Sequence, residues 1–232
     1  MIADGHRHMD KNGLFSVRET LLGPGEPRER FHRCLVEAKR FIDTTSVAGI
    51  LDLVFEREEN RRSVRGSVRD ILHVGFIIPD EALTIAGMSR ASNEAGFCLD
   101  HATFPSAVIA RELGELVGCP QIPTTIFTAR AEEMHGRSRY VEALIPTEEK
   151  KLVKRWIEEE VGTHIGLTLA SPSAFTTVQD AFQAEGFRIP SFMHGKPITN
   201  FDKDVTVTYY EKCHGGGKVR IEVLFSPDGA RR

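Results

Sequence analysis

Apolar positions recur at helical spacing from Pro27 to about Asp43, where Phe31, Leu35, Ala38 and Ile42 define one face and Pro27 opens the helix. Val47–Phe55, followed by the polar run Glu56–Arg62, reads as a second helix. Ser63–Leu72 and Asp80–Met88 read as two shorter ones, with Val74–Ile78 extended between them. Residues 1–27, rich in Gly, Pro and charge, read as an irregular arm. The expectation for residues 1–97 is therefore a mainly helical region.

From Cys98 onward the periodicity changes. Cys98–Phe104 reads as a strand ending at Pro105. Ser106 then caps a helix with Ile109, Leu113, Leu116 and Val117 in its stripe and Gly118 past its end. Thr124–Arg130 and Arg139–Ile145 read as strands joined through His135-Gly136. Thr147–Val161 is a helix with Leu152, Val153, Trp156 and Ile157 on one face and Glu148 and Glu149 in its first turn, where the helix dipole favours them. The order then restarts: strand His164–Leu169, helix Ser173–Ala184 closed by Gly186, and a hairpin of Val205–Glu211 and Lys218–Phe225 around Cys213–Gly217.

Self-similarity says more than any single motif. One unit opens on Asp100-His101-Ala102-Thr103-Phe104-Pro105 and closes on Val141-Glu142-Ala143-Leu144-Ile145-Pro146; the other opens on Thr163-His164-Ile165-Gly166-Leu167 and closes on Ile221-Glu222-Val223-Leu224-Phe225. Each begins with a His-bearing strand and ends with a Glu flanked by apolar residues. Because strand side chains alternate between faces, Glu222 points away from Ile221 and Val223, and a carboxylate on the enclosed face of a curled sheet needs a cation, a donor or water. His101, His164 and Glu222 converging on a divalent ion would satisfy all three, as a two-His-one-carboxylate set with positions left open.

Composition narrows the function classes. Net charge is −3 with 41% apolar and 27% charged residues, so an ordered core is expected and no basic face for nucleic acid is visible. The start of the chain lacks the pattern of a secretory signal, and the longest apolar run, Val74–Pro79, is far too short for a membrane span. Cys34, Cys98, Cys119 and Cys213 follow neither a zinc nor a disulfide spacing, which fits reduced thiols and a cytoplasmic location.

The repeat resembles the vicinal-oxygen-chelate superfamily, which includes glyoxalase I and the extradiol dioxygenases. The resemblance spans about 130 residues, counting from Cys98. It implies an α+β fold in which paired βαβββ modules form a cupped mixed sheet over residues 98–232, preceded by the mainly helical 1–97. His101 and His164 match ligands on first strands, Glu222 matches the last-strand ligand, and Glu142 stands where glyoxalase I-like members have a fourth. By the same resemblance, His194 with Tyr209 or Tyr210 would move protons. Arg220 either holds an anionic group of a small-molecule substrate or pairs across the hairpin with Glu211.

The implied activity is that of a non-haem Fe(II) dioxygenase acting on a 2-oxo acid or catechol-like substrate. The rivals are a glyoxalase-like isomerase or lyase using Zn, Ni or Mn with Glu142 as base, and a non-catalytic binding module. A homodimer is compatible with either enzyme. His6 and His8 read as solvated, and His135 and His214 receive no role.

Overall fold

A computed structural model of the chain describes residues 14–79, 83–98, 101–131, 139–195, 197–200, 205–214 and 217–225. Helices α1 (Arg18–Leu22), α2 (Pro27–Thr44), α3 (Val47–Val54) and α4 (Glu58–Ser67) lead into strand β1 (Val68–Ile77) and helix α5 (Ile85–Glu94). Strand β2 (His101–Pro105), helix α6 (Ala107–Val117) and strands β3 (Thr124–Arg130) and β4 (Tyr140–Pro146) follow. Helix α7 (Lys150–Glu158) leads to β5 (His164–Leu169), α8 (Phe175–Ala184), β6 (Ile198–Asn200), β7 (Val205–His214) and β8 (Gly217–Phe225). His6, His8, His135 and the Gly215-Gly216 tip of the last hairpin lie outside the described residues.

The strands form one open mixed sheet of eight, ordered β2-β3-β4-β1-β5-β8-β7-β6. Its two halves have the same topology. In the first, β1 pairs in parallel with β4, then β3 and β2 follow antiparallel; in the second, β5 pairs in parallel with β8, then β7 and β6 follow. The halves meet where β1 and β5 pair antiparallel. Each is a βαβββ module, residues 68–146 and 164–225, as expected of paired modules in an α+β fold.

The starting point of the first module is a correction. It begins at β1, not at the strand containing His101, so a boundary at 97/98 would cut the module between α5 and β2. Ile71-Leu72-His73-Val74-Gly75-Phe76-Ile77-Ile78 has apolar side chains on both faces because β1 lies at the middle of the sheet. Such a strand loses the alternation that marks a half-buried one. With β1 and α5 restored, β2, β3 and β4 are the three strands the module needs, and α6 is an insertion between β2 and β3. The irregular-arm reading is also corrected beyond residue 13: α1 forms, and Leu14, Phe15, Val17 and Leu21 are buried.

Helices α2 and α8 pack on one face of the sheet. Phe31 of α2 meets Phe127 of β3, Phe15 meets Phe76 of β1, and Phe182 of α8 stacks on Tyr210 of β7. The other face carries polar side chains. Helix α2 starts at a capping box between Glu26 and Glu29 with Pro27 in its first turn, which fits the abrupt onset in the sequence.

Glu185, just past α8, caps the start of α4. Its carboxylate accepts from the Glu56 and Arg57 backbone N–H groups at 2.8 and 3.0 Å and from Asn60 Nδ2 at 2.8 Å. These donors, with Lys212, outweigh partial burial and lower its pKa. Glu185→Ala is expected to cost about 1 kcal/mol in urea unfolding, the usual worth of a helix cap, without changing metal content.

Candidate metal centre

Two short sequences, His73-Val74-Gly75 on β1 and His164-Ile165-Gly166 on β5, lie across the module junction in antiparallel register, so His73 faces Gly166 and Gly75 faces His164. On their outer sides the same glycines face the two glutamates: Gly75 pairs with Glu142 of β4 and Gly166 with Glu222 of β8. Cross-strand partners share a face, so two imidazoles and two carboxylates are aimed into one space. The glycines make that space. A Cβ at Gly75 would stand 2.7 Å from His164 Nε2, and one at Gly166 would stand 2.6 Å from His73 Nε2.

His73 Nε2 lies 3.0 Å from His164 Nε2 and 2.6 Å from Glu222 Oε2, and His164 Nε2 lies 3.5 Å from that oxygen. Glu142 Oε2 stands 3.8 and 3.7 Å from the two nitrogens. The donor atoms of His73, Glu142 and His164 all fall within 4.8 Å of one another. His73 and His164 are each 1% exposed, Glu222 5% and Glu142 9%.

Two further features fit a divalent ion. His164 Nδ1 donates to the Gly162 carbonyl at 2.7 Å, so in the neutral ring Nε2 presents its lone pair to the centre. Glu222 Oε2 is buried with no hydrogen bond of acceptable geometry among the described residues, despite its closeness to His73. Bonds of about 2.1 Å to a common ion place neighbouring ligand atoms about 3.0–3.4 Å apart, close to the 3.0 Å between the two Nε2 atoms and the 3.5 Å from His164 to Glu222.

Electrostatics lead the same way. Burial alone would favour neutral groups, but His73, His164 and Tyr209 outweigh it and hold the Glu222 carboxyl at about 2. Burial likewise disfavours charge on His73, yet Glu142 and Glu222 outweigh it and raise its pKa. A proton on His73 and an ion in the centre would compete for one lone pair. Tyrosines brace both rings: Tyr140 stacks on His73 with centroids 4.9 Å apart, and Tyr209 meets His164 edge-on at 5.5 Å. Burial and the nearby carboxylates raise the pKa of both phenols, so they stay protonated.

The structure thus assembles His164, Glu222 and Glu142 but brings in His73 instead of His101. His101 lies on edge strand β2, three strands from β1. Register carries it to the opposite face, since His101 pairs with Ala129, Ala129 with Val141 and Val141 with Val74, the neighbour of His73. There it packs on Phe127 at 5.4 Å, with Nε2 3.0 Å from Asn93 Oδ1 of α5. The repeated His-x-Gly was the signal that points to His73.

Other expected residues are also placed. Tyr209, opposite Glu222, belongs to the site. Tyr210 faces the helices against Phe182. His194 is exposed at φ 51° after a short 3-10 turn, Ser191–Met193, and no contact joins it to the cluster among the described residues. Arg220 does share the face of Glu222, but its guanidinium grips Glu112 of α6 at 2.8 and 2.5 Å and reaches Glu211 at 3.3 Å. The pairing alternative for Arg220 is therefore the one present.

No family model matches the chain, and no curated protein matches it. Among solved structures it is similar to Streptomyces coelicolor methylmalonyl-CoA epimerase in complex with 2-nitronate-propionyl-CoA (18% identity, TM-score 0.41, covering 68% of this chain and 95% of that one). It is similar also to methylmalonyl-CoA epimerase from Mycobacterium tuberculosis (13%, 0.39, 67% and 88%) and to a mutant of 4-hydroxymandelate synthase from Streptomyces coelicolor (10%, 0.43, 68% and 50%). These structures belong to the vicinal-oxygen-chelate superfamily, the one the sequence resembles. The likenesses are too distant to carry an activity. Among the described residues no helix is long and apolar enough to cross a membrane.

Proposed function

We propose that the chain is a metal-dependent enzyme of the isomerase or lyase kind, moving a proton at a carbon beside a carbonyl of a small oxygenated substrate. The observation that carries this reading is the unequal placing of the two carboxylates. Glu222 Oε2 approaches the imidazole nitrogens to 2.6 and 3.5 Å, whereas Glu142 Oε2 stands back at 3.8 and 3.7 Å and is the most exposed of the four residues. His73, His164 and Glu222 would hold the ion, with Glu142 as a fourth donor or beside it. A divalent ion such as Zn, Ni or Mn would polarise the carbonyl oxygen and stabilise the charge that develops there.

Each residue then has a task within reach of its position. Glu142 takes the proton from carbon, a role suited to a carboxylate next to but not consumed by the ion. Tyr140 and Tyr209 hold the imidazole planes in place. The dry surroundings strengthen every charge interaction in the centre. All four donors come from one chain, so a second copy is not required to complete the set.

A second reading has its own support. His73, His164 and Glu222 form a two-His-one-carboxylate set with mutual separations of 3.5 Å or less, the donor pattern of non-haem Fe(II) oxygenases. Oxygen uptake by anaerobically iron-loaded protein with 2-oxo acids and catechols tests it.

The deciding experiment is solvent-deuterium exchange into a panel of 2-oxo acids and acyl thioesters, in the presence of each metal. Glu142→Gln is expected to lose exchange by about a hundredfold or more while keeping its metal. Exchange at the unmutated rate in that variant would sink the assignment of Glu142 as base. Oxygen consumption with no exchange in the unmutated protein would favour the second reading.

A further inference from the structure

Burial along the metal-bearing face changes in one direction. On β3, β4, β5, β7 and β8, the residues on one side of the centre are half-buried: Thr128, Arg130, Tyr140, Thr168, Val207 and Leu224. On β3, β4, β7 and β8, the next residues of that face on the other side are closed off, with Cys213 and Lys218 exposed only beyond them. Ile126 is 7% exposed, Leu144 0%, Glu211 6% and Arg220 3%. The gradient runs along the strands, so one end of the cup is shut and the other is not.

Helix α6, the insertion present in the first module only, shuts that end. It leaves β2 at Ser106, whose N–H donates to the Thr124 carbonyl of β3 and whose side chain caps the helix. One and a half turns later, Glu112 meets Arg220 of β8 through both guanidinium nitrogens, with the two residues 4% and 3% exposed. Arg220 also lies over Phe192 and Tyr209, at 5.5 and 5.9 Å. Arg111 of α6 reaches the Phe192 carbonyl at 3.4 Å. A helix from one module is thus tied by a buried ion pair to the last strand of the other, two residues before Glu222.

We infer that α6 is a fixed plug, and that substrate reaches the metal centre only from the opposite end of the cup, between Thr128 and Tyr140 of the first module and Thr168 and Leu224 of the second. The inference rests on the metal-centre reading and adds a direction of approach. The part of the substrate that is not at the metal therefore lies against hydroxyl-bearing and aliphatic side chains, with Arg130 on the same face at that end. Arg220, the buried cation on the metal-bearing face of β8, is spent on Glu112 and Glu211 and offers no anion site. Arg220 and Glu112 are positioning residues.

The test uses the full chain loaded with Co(II), whose visible absorption reports both the coordination and any added ligand. Benzohydroxamate, a bulky two-oxygen ligand, and azide, a small one, are the probes. Leu224→Trp and Thr128→Trp narrow the proposed entrance. Each is expected to weaken benzohydroxamate tenfold or more while leaving azide affinity and the cobalt spectrum unchanged. Glu112→Gln loosens the plug with little change in volume, and both ligands should associate within twofold of the normal rate.

Benzohydroxamate binding indifferent to both tryptophan variants would overturn the inference. So would association tenfold faster in Glu112→Gln, which would place the entrance at the α6 end. If Glu112→Gln does not fold, the tryptophan pair decides alone. Failure of the metal reading itself shows earlier and separately, as the absence of a cobalt spectrum before any ligand is added.

Discussion

His73→Ala is expected to weaken divalent-ion binding by on the order of a hundredfold or more, while His101→Ala leaves it unchanged. Removing even a group that merely orients a ligand costs roughly ten- to a hundredfold in metal affinity, and His73 would be a direct donor. Its Nε2 lies 3.0 Å from His164 Nε2 and 2.6 Å from Glu222 Oε2. Without it Glu222 loses its nearest neighbour and stays buried at 5% exposure. Titration of metal-free protein with Co(II), followed by absorption, measures both variants against the parent. Equal losses at His73 and His101 would show that the affinity follows general stability, not this centre. Full retention in His73→Ala would remove the centre altogether.

Gly166→Ala and Gly75→Ala are expected to damage the site without touching a donor. The β1–β5 ladder is flanked by β4 and β8, so neither strand can move aside to admit a methyl group. The added carbon would instead displace an imidazole, with Gly166→Ala pressing on His73 and Gly75→Ala on His164. Overpacking of this kind costs about 1–3 kcal/mol, and the displaced ring should lower cobalt affinity at least tenfold. Thermal unfolding and cobalt titration read the two effects separately. Gly66→Ala supplies the control: nothing lies within 4 Å of its added carbon, and it sits in α4, where alanine is favoured over glycine by up to about 1 kcal/mol. If all three substitutions behave alike, close packing around the histidines is not what the β1 and β5 glycines provide.

Local pattern carried a large part of the architecture. Helical spacing from Phe31 to Ile42, the Ser106 cap, and the returning order of strand, helix and hairpin after His164 are properties of neighbouring residues, and each reappears in the structure at nearly the expected place. The repeat also pointed to paired modules and singled out His164, Glu222 and Glu142, because a Glu between apolar residues near a strand end is conspicuous within a few positions.

Pairing decided the rest. Which histidine of the first module faces Glu142 depends on strand order and on register passed from β2 through β3 and β4 to β1, over residues far apart in the chain. A shift of one residue anywhere along that path sends a side chain to the other face. His101 and His73 both lie in strands, and their own neighbours do not say which face each occupies. The central place of β1 also removed its alternation, because helices cover one side and the metal-bearing face is enclosed on the other. The plug formed by α6 was equally out of reach, since Ser106 to Gly118 reads as an ordinary amphipathic helix until Glu112 finds Arg220. Periodicity is written into a short stretch of chain, whereas the partner across a sheet is set only when the whole sheet closes around it.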